Sequence, residues 1–242
     1  MVALRLGLSM TALQASIGAV NDLHDAPADA GRKPGKPIPS GRVSVPVARG
    51  VAAGGAALGL ALATTVDPRV AVLAVVVLAI GYGYDLIAKG TVWSWLPFAV
   101  GIPILPVYGW LGGVGELPAF FAILIPMAVI AGAALAIANG RADLERDAAA
   151  GINSVATRLG PERSWWLHAG LWAVVVALAL AWLGGQGAPA EDWIPVVLAA
   201  TVLAAGVALG RAGDAAGRER AWQIEAVGAG VALLAWVRAV IG

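Results

Sequence analysis

Residues 118–140 read PAFFAILIPMAVIAGAALAIANG, and the chain continues as Arg141-Ala142-Asp143-Leu144-Glu145-Arg146-Asp147. No charge interrupts the run from Pro118 to Gly140. Its length is close to the roughly 20 residues an α-helix needs to cross a bilayer. Backbone groups in hydrocarbon must be paired within the segment, so the run reads as a helix. The acids that follow stand where a carboxylate is costly and normally marks function.

Working outward, further apolar runs lie at about 2–20, 46–66, 70–84, 93–112, 165–184, 193–210 and 221–241, separated by polar or Gly/Pro breaks. Of the 242 residues, 60% are hydrophobic and 13% charged, against about 25% charged in a soluble domain. The expected fold is therefore an all-α, polytopic membrane bundle of eight transmembrane helices. The first run lacks a basic start followed by a small-residue cleavage site, so it reads as a retained helix rather than a signal peptide. With no cysteine, a disulfide framework, a cysteine metal site and thiol catalysis are excluded. A formal charge of +1 gives no overall field for nucleic acid, and none is expected as a partner. All basic residues except Arg5, Arg69 and Arg238 fall on one set of loops. The positive-inside rule then places those loops in the cytoplasm, in what is expected to be a prokaryotic plasma membrane.

The acidic segment has an earlier copy. Asn21-Asp22-Leu23-His24-Asp25-Ala26-Pro27-Ala28-Asp29 follows the first apolar run, and both copies read Asn-x3-Asp-x3-Asp, offset by 118 positions (139−21). On a helix, Asp22, Asp25 and Asp29 stand at i, i+3 and i+7, within roughly 60° of one another. Asn139, Asp143 and Asp147 step by four and would line one stripe. Pro27 is expected to distort the last turn of the first copy. The stretches 21–45 and 139–164 are expected to be the longest loops, carrying most of the chemistry.

Carboxylate and amide oxygens suit a hard cation such as Mg²⁺. His24 and His168 have no companion ligands and read as polar fillers. Lys36 and Arg42 bracket Pro37-Ile38-Pro39-Ser40-Gly41, Lys89 follows Tyr84-Asp85, and Arg141 and Arg146 lie inside the second copy. Cations alternating with carboxylates suit a diphosphate bridged by metal ions. Arg211, Arg218 and Arg220 have no acidic motif beside them and read as interfacial anchors. A diphosphate site at a membrane boundary suits a substrate with a long hydrocarbon tail, and prenyl diphosphates fit that description. Trp93, Trp95, Tyr108 and Trp110 are candidate walls for such a tail, or members of an interfacial aromatic belt.

These motifs resemble those of the UbiA superfamily of intramembrane prenyltransferases. Asn-Asp-x2-Asp-x3-Asp followed by Lys36-Pro37-Ile38-Pro39-Ser40-Gly41-Arg42-Val43-Ser44 resembles its first signature. Tyr84 to Lys89 resembles its tyrosine–lysine loop, and Asp143 to Gly151, continuing to Ser154 and Leu159-Gly160, its second acidic signature. The resemblance implies nine helices around a central cavity, so eight here would mean one missing at the N-terminus. It also implies a single prenyltransferase domain over 1–242, and the repeated motif, its copies four helices apart, fits four-helix pseudo-repeats of about 1–117 and 118–242. Asn21, Asp22, Asp25, Asp29, Asn139, Asp143 and Asp147 would surround two Mg²⁺ ions. Lys36, Arg42, Lys89 and Arg141 would bind the diphosphate, with Lys89, Tyr84 and Asp29 as catalytic residues. The basic residue before the Pro-x-Pro turn is usually arginine in the family, and Lys36 keeps its charge without the bidentate geometry.

The implied reaction is metal-assisted ionisation to an allylic carbocation, captured by a lipophilic acceptor. A quinone-precursor-like aromatic is the first expectation. An ether-lipid alcohol, a tetrapyrrole or a sugar phosphate is the alternative. A cation-coupled transporter is the competing class, since internal repeats and broken helices occur there too.

Overall fold

The computed structural model describes residues 1–33 and 35–242, with Arg32 and Ala212 described by their backbones alone. Among the described residues the regular structure is entirely helical: α1 (Val2–Arg32), α2 (Val45–Thr64), α3 (Pro68–Gly83), a π-helical turn (Tyr84–Ala88), α4 (Leu96–Val114), α5 (Phe121–Ala142), α6 (Leu144–Ala149), α7 (Val155–Gly185), α8 (Ala190–Ala212) and α9 (Ala215–Ile241). Eight of these helices are long and apolar enough to span a bilayer; the short α6 is not among them. Their outward faces are apolar: Ile87 is 78%, Leu234 72% and Val227 68% exposed, as side chains facing lipid can be and side chains facing water seldom are.

Sequence signals set most boundaries. Ser44 caps α2 by accepting from the Val47 amide, and Asp67 caps α3 by accepting from the Arg69 amide at 2.7 Å. Pro46 and Pro68 stand in the first turns, where a missing N–H costs nothing. Two boundaries differ from expectation. α1 does not stop near residue 20 but runs through the first acidic motif and Pro27 to Arg32, so 21–32 is helix rather than loop. Within 139–164, α5 reaches Ala142, α6 occupies Leu144–Ala149, and α7 begins at Val155, kinking where Gly160 adopts φ 75° ahead of Pro161.

The chain divides into two compact units. One comprises Met1–Lys89 with Ile104–Leu117; the other comprises Gly90–Pro103 with Pro118–Gly242. In the first, α1 and α2 pack closely through small residues, as membrane helices do. A Cβ added at Gly55 would stand 2.7 Å from the Ala12 carbonyl oxygen, and one at Gly59 2.6 Å from Leu13. Ser9 Oγ donates to the Gly59 carbonyl at 2.6 Å and shares a hydrogen bond with Tyr108; Ser16 pairs in the same way with Ala52 and Tyr82. Tyr108 is therefore a core residue of this unit, 2% exposed, and not a belt aromatic, whereas Trp93 is 61% exposed. The core of the second unit gathers Ala131, Ala134, Leu135, Trp172, Leu203 and Val207.

Candidate active site

The first acidic motif occupies the last turns of α1. Its i, i+3, i+7 spacing does bring Asp22, Asp25 and Asp29 to one side, where a single ammonium group meets all three. Lys36 Nζ lies 3.2 Å from Asp22 Oδ1, 3.6 Å from Asp25 Oδ2 and 2.9 Å from Asp29 Oδ2. Lys89 Nζ donates to Asp25 Oδ2 and to Asn21 Oδ1, both at 2.5 Å. Three carboxylates thus face two ammonium groups. The ion pairs also explain why α1 outruns its apolar stretch: Pro27 removes one backbone donor, and Lys36 holds together the turns on either side of it. Burial lowers the Lys36 pKa, but its hydrogen bonds and charge interactions with Asp29 and Asp22 outweigh this and hold it above the ordinary lysine value.

Two local structures deliver the lysines. The turn after Lys36 is closed by its own backbone, Ser40 N–H to the Lys36 carbonyl and Val43 N–H to the Pro37 carbonyl, each at 3.0 Å. Gly41 takes φ 75°, a conformation that favours glycine. Lys89 is presented by the π-turn, which the Lys89 N–H closes onto the Tyr84 carbonyl at 2.9 Å. Such turns inside α-helices often mark functional positions. Tyr84 is half-buried in that turn. Arg42 is not brought to the acids: it is exposed, and its guanidinium bonds to Ser40 Oγ and the Gly35 carbonyl of its own turn. Asp85, noted in sequence only as the neighbour of Tyr84, is 3% exposed, and its Oδ2 has no hydrogen-bond partner among the described residues. A lone acid inside an apolar run was the signal for it.

The second motif departs from the expected stripe. Asn139 is on the last turn of α5, but the helix breaks at Asp143 (φ −100°, ψ 9°) and resumes as α6, so Asn139 and Asp147 lie on different helices. Asp143 Oδ1 pairs with Arg146 Nη2 at 2.5 Å. Asn139, Asp143 and Asp147 are all half-buried. Arg141 points into the protein. It is 3% exposed, and its guanidinium donates to the Pro161 carbonyl, to Ser164 Oγ at 2.7 Å and to the Gly210 carbonyl at 2.9 Å. Arg218, expected to be an interfacial anchor, instead reaches the Arg141 carbonyl and Glu145. His168 is no isolated filler: its Nε2 lies 2.6 Å from Glu225 Oε2, which also accepts from Trp172 Nε1 at 2.9 Å, and both ionisable groups are 1% exposed.

The donors at both motifs are oxygens, as a hard divalent cation requires. Among the described residues no three acidic, histidine or cysteine side chains converge to hold a metal unaided. In the first motif the lysine ammonium groups stand among the very oxygens a metal would use. A bundle of apolar helices with a carboxylate–lysine cluster at the end of one, and a second carboxylate motif at the end of another, defines a class of polytopic helical membrane proteins.

The family is narrower than that class. The UbiA prenyltransferase family model matches residues 1–236, and the chain belongs to that family. It is an integral membrane protein. It is 34% identical over 146 residues to digeranylgeranylglyceryl phosphate synthase of Methanopyrus kandleri, an alignment covering 59% of this chain and 52% of that protein. The chain thus spans about half the length of the curated relative it matches. Among solved structures, a UbiA homologue from Aeropyrum pernix K1 superposes with TM-score 0.76 at 18% identity, covering 100% of this chain and 89% of that one. A UbiA homologue from Archaeoglobus fulgidus bound to DMAPP and Mg²⁺ superposes with TM-score 0.72 at 21% identity, covering 96% and 87%. At these identities the structural likeness is one of fold.

Proposed function

We propose that this protein is a Mg²⁺-dependent prenyltransferase that moves a prenyl group from its diphosphate to the hydroxyl of an ether-lipid alcohol, an alkylglyceryl phosphate in particular. The observation that carries the reading is the cluster in which Lys36 and Lys89 bind the motif acids directly. Carboxylates for metal and ammonium groups for phosphate are thereby held within one charge network. The alcohol is favoured over the aromatic quinone precursor because the curated relative is named for making a glyceryl phosphate lipid.

In this reading Asn21, Asp22, Asp25 and Asp29 would hold Mg²⁺ in the first unit, and Asn139, Asp143 and Asp147 would hold Mg²⁺ in the second, two ions in all. When bound, these supply Lewis-acid stabilisation of the departing diphosphate. Lys36 and Lys89 exchange their carboxylate partners for diphosphate oxygens, and Tyr84 hydrogen-bonds the same group. The allylic C–O bond breaks with its electron pair leaving on the diphosphate. The acceptor oxygen then bonds the cationic carbon and loses its proton, giving ether, diphosphate and H⁺. Charge stabilisation aimed at the leaving group is the main source of rate in such a step. Arg141 and Arg42, both engaged elsewhere, are left out of the diphosphate site. The asymmetry of basic residues supports motifs open to the cytoplasm.

The test is diphosphate release by purified protein given a prenyl diphosphate and an alkylglyceryl phosphate. Release should require Mg²⁺, stop with EDTA and disappear in Asp25→Asn. A transporter would release none, and that outcome would refute the reading.

A further inference from the structure

Had α5 continued, the carbonyl of Arg141 would have accepted the amide of Glu145 four residues on. At the break that carbonyl accepts the Asp143 amide of the cap and, at 2.7 Å, Arg218 Nε. The same guanidinium donates through Nη1 to the Gly213 carbonyl at 2.8 Å, and through Nη2 to the Glu145 carboxylate. Its side chain is only 10% exposed. Arg218 is itself fixed, because it lies in the first turn of α9, which Asp214 caps by accepting from the Gly217 amide at 2.8 Å. The corner between α8 and α9 is tight as well: a Cβ at Gly213 would stand 3.2 Å from Gly217. One arginine therefore takes, beside the cap amide, the carbonyl that a straight helix would have given to Glu145, and binds the side chain of Glu145 itself.

We propose that Arg218 is a positioning residue for the second acidic motif, a wedge that keeps α5 and α6 apart and so sets Asp147 at its angle to Asn139 and Asp143. The inference rests on the proposed function, in which those three residues hold metal. It touches neither substrate nor metal directly. Side chains that orient metal ligands typically change metal affinity by about 10- to 100-fold when removed.

The sign of the effect separates a wedge from a mere charge. Removing a cation from beside a metal site should strengthen metal binding; removing the wedge should weaken it. The assay is binding of Mn²⁺ alone to the full chain in detergent, read from the EPR signal of free Mn²⁺, alongside the unfolding midpoint. Arg218→Gln should weaken binding by about tenfold or more. Arg218→Lys keeps the charge but lacks the planar fork that serves Arg141, Gly213 and Glu145 together, and it too should weaken binding. Unchanged or tighter binding in Arg218→Gln overturns the proposal. So does wild-type affinity in Arg218→Lys, which also decides the matter if the glutamine variant does not fold. Asp143→Asn serves as the reference. If it loses Mn²⁺ while the Arg218 variants keep it, the wedge alone fails. If it binds as well as the wild type, the metal-site reading fails and the wedge with it.

Discussion

Lys89→Met offers a perturbation whose two effects have opposite signs. Lys89 Nζ sits 2.5 Å from Asp25 Oδ2 and from Asn21 Oδ1, so it occupies oxygens proposed as metal ligands. A unit pair at about 4 Å has a raw attraction of about 4 kcal/mol at an effective dielectric of about 20. A charged hydrogen bond nets about 1.5–3 kcal/mol after solvation is counted. If Lys89 moves to the diphosphate during turnover, methionine there should lose about 2 kcal/mol of transition-state stabilisation, or about 30-fold in kcat/KM. Without diphosphate, the same substitution frees Asp25 and Asn21, and Mn²⁺ alone should bind about tenfold tighter. The first effect is measured by initial rates of diphosphate release, the second by Mn²⁺ EPR. A variant that binds Mn²⁺ no more tightly than the wild type, or that keeps full kcat/KM, would refute the proposed exchange of partners.

Asp25→Ala and Asp143→Ala should each abolish turnover while the unfolding midpoint stays near that of the wild type; substantial activity in either would remove that residue from the site. Arg141→Met strands the Pro161 and Gly210 carbonyls and Ser164 in a buried place, and should destabilise the protein by about 2–4 kcal/mol, seen as a lower midpoint in detergent. Gly55→Val drives side-chain atoms against the Ala12 carbonyl, forcing α1 from α2; the expected loss is about 1–3 kcal/mol, and an unchanged midpoint would contradict the tight packing.

The eight spans were legible because a bilayer imposes a length and hydrophobicity that little else imitates, and runs such as 118–140 satisfy both. The nearness of Lys36 to the first acids was also readable, since a loop only a few residues long tethers it to α1. The far end of α1 was not. Pro27 and the polar residues around it look like a helix terminus until the lysines that bind them are placed, Lys36 from beyond the end of the helix and Lys89 from 64 residues past Asp25. The break at Asp143 was hidden for a similar reason. Spacing by four implies a straight helix, and the residue that fills the interrupted carbonyl is Arg218, 77 positions downstream. Arg141 sits among motif residues yet turns inward, because Ser164 and the Pro161 and Gly210 carbonyls form a buried acceptor set. No local pattern announces such a set. Tyr108 was misread on the same ground, its partner Ser9 lying 99 residues earlier.

The most direct measurement is the mass of the product formed when isotope-labelled prenyl diphosphate, an alkylglyceryl phosphate and a hydroxybenzoate are offered together with Mg²⁺. The account predicts the label in a prenyl ether of the glyceryl phosphate. Label in a prenylated hydroxybenzoate would contradict the acceptor, and intact prenyl diphosphate as the sole labelled species would contradict the chemistry itself.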